Sequence, residues 1–171
     1  MSYANVIVAI EPNEEAHEIL ARATEIASKP PTAVVCVMPQ LAHHYGVEWG
    51  VQSPGLIELE ERGRERATQR AQAIARDAGL ESVLEIRYGK PASMLHEVAK
   101  AHDADCIVAG CHGQHGLALV HGSTANAVVH GLDCDAYFVR VGTAHERSNE
   151  IVCAVDGTAD SDTVVAAAAA I

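Results

Sequence analysis

Aromatic side chains and positive charge are both scarce in this chain of 171 residues. Phe, Trp and Tyr make up only 4% of it, which favours helices packed closely on a sheet over an aromatic-rich binding surface. Lys and Arg number 12 against 23 Asp and Glu, a formal net charge of -11. Because an acidic surface repels the phosphates of nucleic acids and of anionic lipids, we expect neither as a general partner.

Long apolar runs and paired cysteines are also missing. No run reaches the ~18 apolar residues that a membrane span needs, and no basic region followed by an apolar core marks the N-terminus. The five cysteines include no CxxC pair, and most lie in apolar stretches typical of buried, reduced thiols. We therefore expect a cytoplasmic protein without membrane association. Cys111, which lies in a glycine-rich loop, leaves a reactive thiol as an alternative.

Short apolar runs alternate with segments of helical periodicity along most of the chain. The runs have the length and continuity of strands buried on both faces of a parallel sheet. Five such strands are predicted, at Val6–Ile10, Ala33–Met38, Val83–Arg87, Asp105–Gly110 and Ala136–Val141. Helices are predicted between them, including a long charged one from about Leu56 to Ala78, and residues 40–54 form a surface excursion. This alternation predicts an α/β fold with a doubly wound parallel sheet in the order 3-2-1-4-5.

A glycine-rich segment, GCHGQHGLALVHGST, follows the fourth predicted strand and leads into a helix. Ligands of doubly wound sheets bind outside the carboxyl ends of the strands, at the point where the strand order reverses. In the order 3-2-1-4-5 that point lies between the first and fourth strands. The glycine-rich segment and Glu11, which ends the first strand, should therefore meet there.

The last part of the chain resembles its beginning. Residues 151–171 match the first strand and helix at a constant shift, with Ala154-Val155-Asp156 against Ala9-Ile10-Glu11. The match predicts one domain over residues 1–143, followed over 144–171 by a linker and the first strand and helix of a truncated second repeat. An ordinary extra strand with an alanine-rich helix is the alternative.

Three segments together resemble the universal stress protein family: VIVAIE, DADCIVAGCHG and HGSTANAVVHGLDCDAYFVRV. The last of them is similar to the branch around universal stress protein A. The resemblance covers about residues 2–141 and implies a fold of the adenine nucleotide alpha hydrolase type. Because many members bind ATP, it also implies a site for ATP with Mg²⁺.

The residues carried over from the family's nucleotide pattern are Glu11, Val37, Gly110, Gly113, Gly122 and Ser123. Glycines let backbone N–H groups approach phosphates, and a serine hydroxyl completes an anion site. The sequence differs from the family pattern at two points. The stretch from Gln114 to His121 holds eight residues where the family pattern has nine, and Glu11 stands where Asp is usual. Val37 matches an apolar contact to the adenine and could equally be a plain core valine.

The glycine-rich segment gives only weak support for a metal site, a nucleophile or a P-loop. His112, His115 and His121 invite a metal site, but no CxxC or HExxH motif accompanies them, so we expect none. Ser123 is better explained as a helix cap than as a nucleophile. Without a GK[ST] motif the loop is not a P-loop, and no set of catalytic residues can be identified.

We therefore expect a non-enzymatic stress-response or regulatory module whose nucleotide site, when occupied, switches the binding of an unknown protein partner. Two alternatives stay open: a nucleotide-free dimeric scaffold and a slow ATPase. The fifth strand, Ala136–Val141, should lie at the sheet edge, where exposed strands invite pairing. The resemblance implies a homodimer formed through this strand.

Overall fold

The computed structural model describes residues 2–38, 54–112, 123–142, 151–158 and 161–169. Its strands are β1 (Val6–Ile10), β2 (Ala33–Met38), β3 (Leu84–Tyr88), β4 (Cys106–His112) and β5 (Asp135–Val141). Its helices are α1 (Ala16–Ile26), α2 (Pro54–Asp77), α3 (Pro91–Ala101), α4 (Ser123–Val129) and α5 (Ser161–Ala169). None of the helices in these ranges has the length and apolar character needed to cross a bilayer.

The strands form one five-stranded sheet in the order β3-β2-β1-β4-β5, and every pair in it is parallel. The predicted order 3-2-1-4-5 is therefore confirmed. β1 lies at the centre, where Ile7 pairs with Ala33 of β2 on one side and with Ile107 of β4 on the other. Continuous apolar runs suit this position because both faces of a central parallel strand are covered by helices.

Two apolar clusters cover the two faces of the sheet. On one face, side chains of α1 and α2 such as Ile19 and Ile74 pack with Val8 and Val108. On the other, side chains of α3 and α4 pack with Ile7 and Ile107. Because side chains alternate along a strand, the three inner strands β1, β2 and β4 contribute to both clusters, and the helices lie on both sides of the sheet as expected.

Several boundaries differ from the predicted ones. β5 begins one residue earlier, at Asp135, and β4 begins one residue later, at Cys106. Helix α2 begins at Pro54, so only residues 40–53 of the predicted excursion lie outside the described residues. β3 is displaced by one residue, to Leu84–Tyr88. β4 runs two residues further than predicted, because Cys111 pairs with Arg140 and His112 with Val141 of β5. Gly110 consequently lies inside a strand and not in a loop.

The match between the two ends of the chain is only partly reproduced in the secondary structure. Helix α5 forms at the predicted place, but residues 151–156 are not a strand. Within the described part of the chain they have no strand beside them, and an isolated strand has no partner for its backbone hydrogen bonds. The apolar side chains of this segment are exposed, with Val152 94% accessible.

Candidate functional site

The carboxyl ends of β1 and β4 define the candidate site. The chain leaves β1 toward β2 and β3, then returns to β4 on the other side of β1 and continues to β5. The direction of winding therefore reverses between β1 and β4, and ligands of doubly wound sheets bind at the carboxyl ends of the strands at such a point. Glu11 follows β1 directly, and Gly110 lies near the end of β4.

Glu11 presents an exposed carboxylate at this edge. Asn13 lies beside it, donating its backbone N–H to the Glu11 carbonyl oxygen at 2.8 Å. The side-chain amide of Asn13 reaches Glu11 Oε2 at 3.4 Å and also accepts the backbone N–H of Glu15 at 3.1 Å. The Asn13 amide thus holds the turn that carries Glu11, while the Glu11 carboxylate stays accessible to a ligand.

Val37 lies one strand away from Glu11, at the same level of the sheet. The pairing of β1 with β2 ends at Ile10 and Cys36, and Glu11 and Val37 are the next residues along the chain from each of them. Val37 is half-buried and packs against the apolar cluster beneath α3. Its side chain contributes to the core while part of it stays accessible, and the adenine contact stays a prediction.

Gly110 has a structural reason for being glycine. A Cβ built on Gly110 would lie 2.6 Å from Ile19 Cδ1 and 3.7 Å from Val141 Cγ1. Ile19 belongs to α1, so the missing side chain of Gly110 faces α1, whereas Val37 packs on the α3 face. The close approach that requires glycine here is made by a helix of the protein itself.

The remaining family positions are only partly described. Ser123 is the first residue of α4, while Gly113 and Gly122 lie outside the described residues. Helix α4 packs through Val128 on Ile7 of β1 and Ile107 of β4. Glu11, Val37 and Gly110 therefore lie along the edge of the sheet formed by the carboxyl ends of the strands, and α4 packs on the face of the sheet that carries Ile7 and Ile107.

The thiols are poorly suited to nucleophilic chemistry. Burial raises the pKa of Cys111, and this effect outweighs the opposing influence of Arg140. Burial, with the nearby Glu11 carboxylate, raises the pKa of Cys36 to about 11. Since the thiolate is the reactive form, both thiols should be unreactive near neutral pH. Among the described residues no group of three or more His, Cys, Asp and Glu side chains could hold a metal; His115 and His121 lie outside these residues.

Sequence reasoning missed a charged group beside Val37. Arg87 of β3 pairs with Val37 and donates from Nε to Glu85 Oε2 at 3.0 Å. His102 Nε2 lies 2.6 Å from the other oxygen of Glu85. Burial acts to raise the pKa of Glu85, but the hydrogen bonds from Arg87 and His102 outweigh it and lower that pKa. The alternation of β3 could have placed Glu85 and Arg87 on one face, but it does not reveal His102.

Sequence reasoning also missed His96 of α3, which no motif marks. Its Nε2 lies 2.7 Å from the carbonyl oxygen of Val128 in α4. Both helices lie on the same face of the sheet. The contact therefore links α3 to the helix that begins at Ser123.

Most of the chain is similar to proteins of one family. The family model of the universal stress protein family matches residues 2–140. Universal stress protein A homolog 2 of Coxiella burnetii is 32% identical over 139 residues, which are 80% of this chain and 92% of that protein. The solved structure of universal stress protein UspA from Lactobacillus plantarum is 26% identical, with a TM-score of 0.55, and the match covers 82% of this chain and 99% of the other. A Pseudomonas aeruginosa PAO1 protein shares the fold, with 20% identity, a TM-score of 0.61 and 48% of its length covered.

Proposed function

Because the chain belongs to the universal stress protein family, we propose that it is a non-enzymatic regulatory module that binds ATP with Mg²⁺ and uses the occupied site as a switch. The nucleotide lies at the carboxyl ends of β1 and β4, and its presence alters the binding of a protein partner. The observation that supports this proposal is that Glu11 follows β1 and Gly110 lies near the carboxyl end of β4, the two strands between which the winding reverses, with Val37 near the end of the neighbouring β2.

Each residue has a distinct role in the proposed site. The exposed Glu11 carboxylate accepts hydrogen bonds from ribose hydroxyls or from the adenine amino group. The accessible part of Val37 packs against the base. Gly113, Gly122 and Ser123 contribute backbone N–H groups and a hydroxyl for the phosphates, as in the family pattern. Gly110 acts indirectly, since its lack of a side chain lets β4 and α1 pack closely beneath the site.

The proposed site binds without carrying out chemistry on ATP. A hydrolase needs an activated nucleophile or a metal with an activated water. Burial raises the pKa of Cys111, the thiol at the end of β4, and so keeps it protonated. No observation favours the slow-ATPase alternative over the binding module.

Calorimetric titration of Mg-ATP into nucleotide-free protein tests the proposal, with Glu11→Ala and Glu14→Ala as a matched pair. Both glutamates are exposed in the same loop, so both changes remove one negative charge from the same region. Because a hydrogen bond to a charged group contributes roughly 1.5–3 kcal/mol, E11A should weaken binding by about tenfold or more. E14A should bind like the unsubstituted protein. Absence of heat with the unsubstituted protein would refute the nucleotide site.

A dimer through β5 is the second part of the proposal. β5 ends the sheet next to β4, and Ala136 on it is exposed. An edge strand with free backbone groups pairs readily with another copy. We therefore expect Ala136→Glu to shift the mass measured by light scattering from dimer to monomer, while Ala101→Glu on the exposed end of α3 leaves it unchanged. A stable dimer that binds no nucleotide would favour the scaffold alternative.

The division of the chain is also a proposal. Residues 1–143 form the universal stress protein domain, and 144–171 carry a linker and the start of a second repeat. The exposure of the C-terminal segment supports this division. Val152 and Val165 are 94% and 51% exposed, whereas the matching Ile7 and Leu20 are 0% and 3% exposed. Removal of residues 144–171 should leave the unfolding temperature of the domain unchanged, and a large decrease would show that the segment packs on it.

A further inference from the structure

We propose that His96 is a positioning residue for the nucleotide site, because it fastens the carboxyl end of α4 to α3 and so fixes where Ser123 begins that helix. The inference rests on the nucleotide-binding function proposed above. His96 is not one of the positions of the family's nucleotide pattern.

The hydrogen bond between His96 and Val128 has a defined direction. A carbonyl oxygen can only accept, so the imidazole donates its Nε2–H across the 2.7 Å that separates the two atoms. Val128 lies in the last turn of α4, where carbonyl groups have no N–H partner within the helix. The neighbouring N–H groups bond elsewhere, since His130 donates to Asn126 at 3.1 Å and Leu132 to Val129 at 3.4 Å. His96 therefore supplies a donor that the helix itself lacks.

Helix α4 depends on such contacts for its position. It has seven residues, and isolated helices shorter than ~12–15 residues are marginal in water. Within residues 125–129, whose burial is described, Val128 is the buried residue, at 2% exposure. The Val128 side chain enters the core while its carbonyl oxygen meets His96, so one residue holds the helix by both its side chain and its backbone.

The place of this attachment connects it to the site. The Val128 side chain packs with Ile7 of β1 and Ile107 of β4, the strands whose carboxyl ends carry Glu11 and Gly110. While it is folded, the seven-residue helix spans about 10 Å, so the position of its carboxyl end sets the position of its amino end. Loss of the His96 hydrogen bond should let α4 move relative to β1 and β4, and Ser123 should move with it.

Two substitutions at position 96 introduce side chains of similar length and distinguish the effect of the hydrogen bond from the effect of packing. Gln at position 96 keeps an Nε2 donor, whereas Met keeps the apolar bulk without one. His96→Met should speed hydrogen exchange in the amides of α4 and weaken Mg-ATP binding by about tenfold. His96→Gln should restore both quantities toward their values in the unsubstituted protein. His17→Met, a change at an exposed histidine of α1, is the control and should alter neither.

The possible outcomes distinguish this role from the proposed function. Faster exchange in α4 with unchanged affinity would show that His96 only stabilises the helix, and equal exchange rates in all variants would refute the attachment itself. If the unsubstituted protein binds no Mg-ATP, the proposed nucleotide site is wrong and the positioning role falls with it, even where the exchange rates differ as expected. Faster exchange and weaker binding in His96→Met, both restored in His96→Gln, would establish the role.

Discussion

Replacing Gly110 by alanine should destabilise the protein through one steric contact. The added Cβ would lie 2.6 Å from Ile19 Cδ1 and 3.4 Å from Ile19 Cγ1, whereas carbon atoms pack best at about 3.5–4.0 Å. Ile19 is only 5% exposed and lies within the apolar cluster between the sheet and helices α1 and α2. Its terminal methyl group can therefore move only by displacing other core side chains.

The expected loss of stability follows from two opposing contributions. Overpacking of a core costs about 1–3 kcal/mol, while replacing glycine by alanine stabilises by roughly 0.4–1 kcal/mol through the unfolded chain. The difference is a net loss of about 1–2 kcal/mol, which for a domain of this size lowers the unfolding temperature by about 2–8 °C.

A second substitution identifies the contact. Ile19→Val deletes Cδ1, the atom nearest the new Cβ, and alone should cost about 0.5–1.5 kcal/mol. In the double variant the new Cβ occupies the space that Cδ1 has left. The double variant should therefore be more stable than the sum of the single changes predicts, by about 1 kcal/mol or more.

Urea denaturation of the four proteins measures this coupling, with Gly63→Ala as the control. Gly63 lies in α2 with nothing within 4 Å of its built Cβ, so G63A should stabilise by up to about 1 kcal/mol. Additive effects in the double variant would refute the steric explanation. Mg-ATP titration gives a second check. If the double variant regains its stability but does not bind Mg-ATP, the ligand itself must approach Gly110.

Three further predictions concern charges and thiols elsewhere in the fold. Because Glu85 has a lowered pKa when folded, its pairing with Arg87 and His102 stabilises the protein above about pH 4.5, and this stabilisation is lost as the pH falls toward the folded pKa. The unfolding temperature should therefore decrease less over that pH range in Glu85→Gln than in the unsubstituted protein. The Asp105 carboxylate accepts the backbone N–H groups of Ala4 at 2.7 Å and of Asn5 at 2.9 Å, so Asp105→Ala should cost about 1–3 kcal/mol in urea denaturation, and an unchanged midpoint would contradict this. Cys36, whose pKa burial raises to about 11, should resist alkylation at pH 8 until denaturant is added.

Much of the fold could be predicted from local pattern. The apolar runs at Val6–Ile10 and Ala33–Met38 are strands with the predicted bounds. The strand order is the predicted one, because a chain that alternates strands and helices with right-handed crossovers has few ways to cover both faces of a sheet. That order also places Glu11 and the end of β4 at one edge, so the general location of the candidate site followed from sequence.

Contacts between distant segments could not be predicted in this way. The length of β4 depended on pairing with β5, which extends it to His112. The apolar pattern of residues 151–155 matched that of β1, but no strand formed where the described structure offers no neighbouring strand. A strand needs hydrogen-bond partners from elsewhere in the chain, whereas the helix α5 makes its own.

By itself, the sequence determined the order of strands and helices, the family, and which residues end β1 and begin α4, because these depend on periodicity and on motifs along the chain. The tertiary structure alone decided that Gly110 faces Ile19, that Arg87 lies beside Val37, and that His96 holds Val128. Such contacts depend on the positions and register of whole helices and strands relative to one another. The sequence around a residue does not show which distant residue will pack against it.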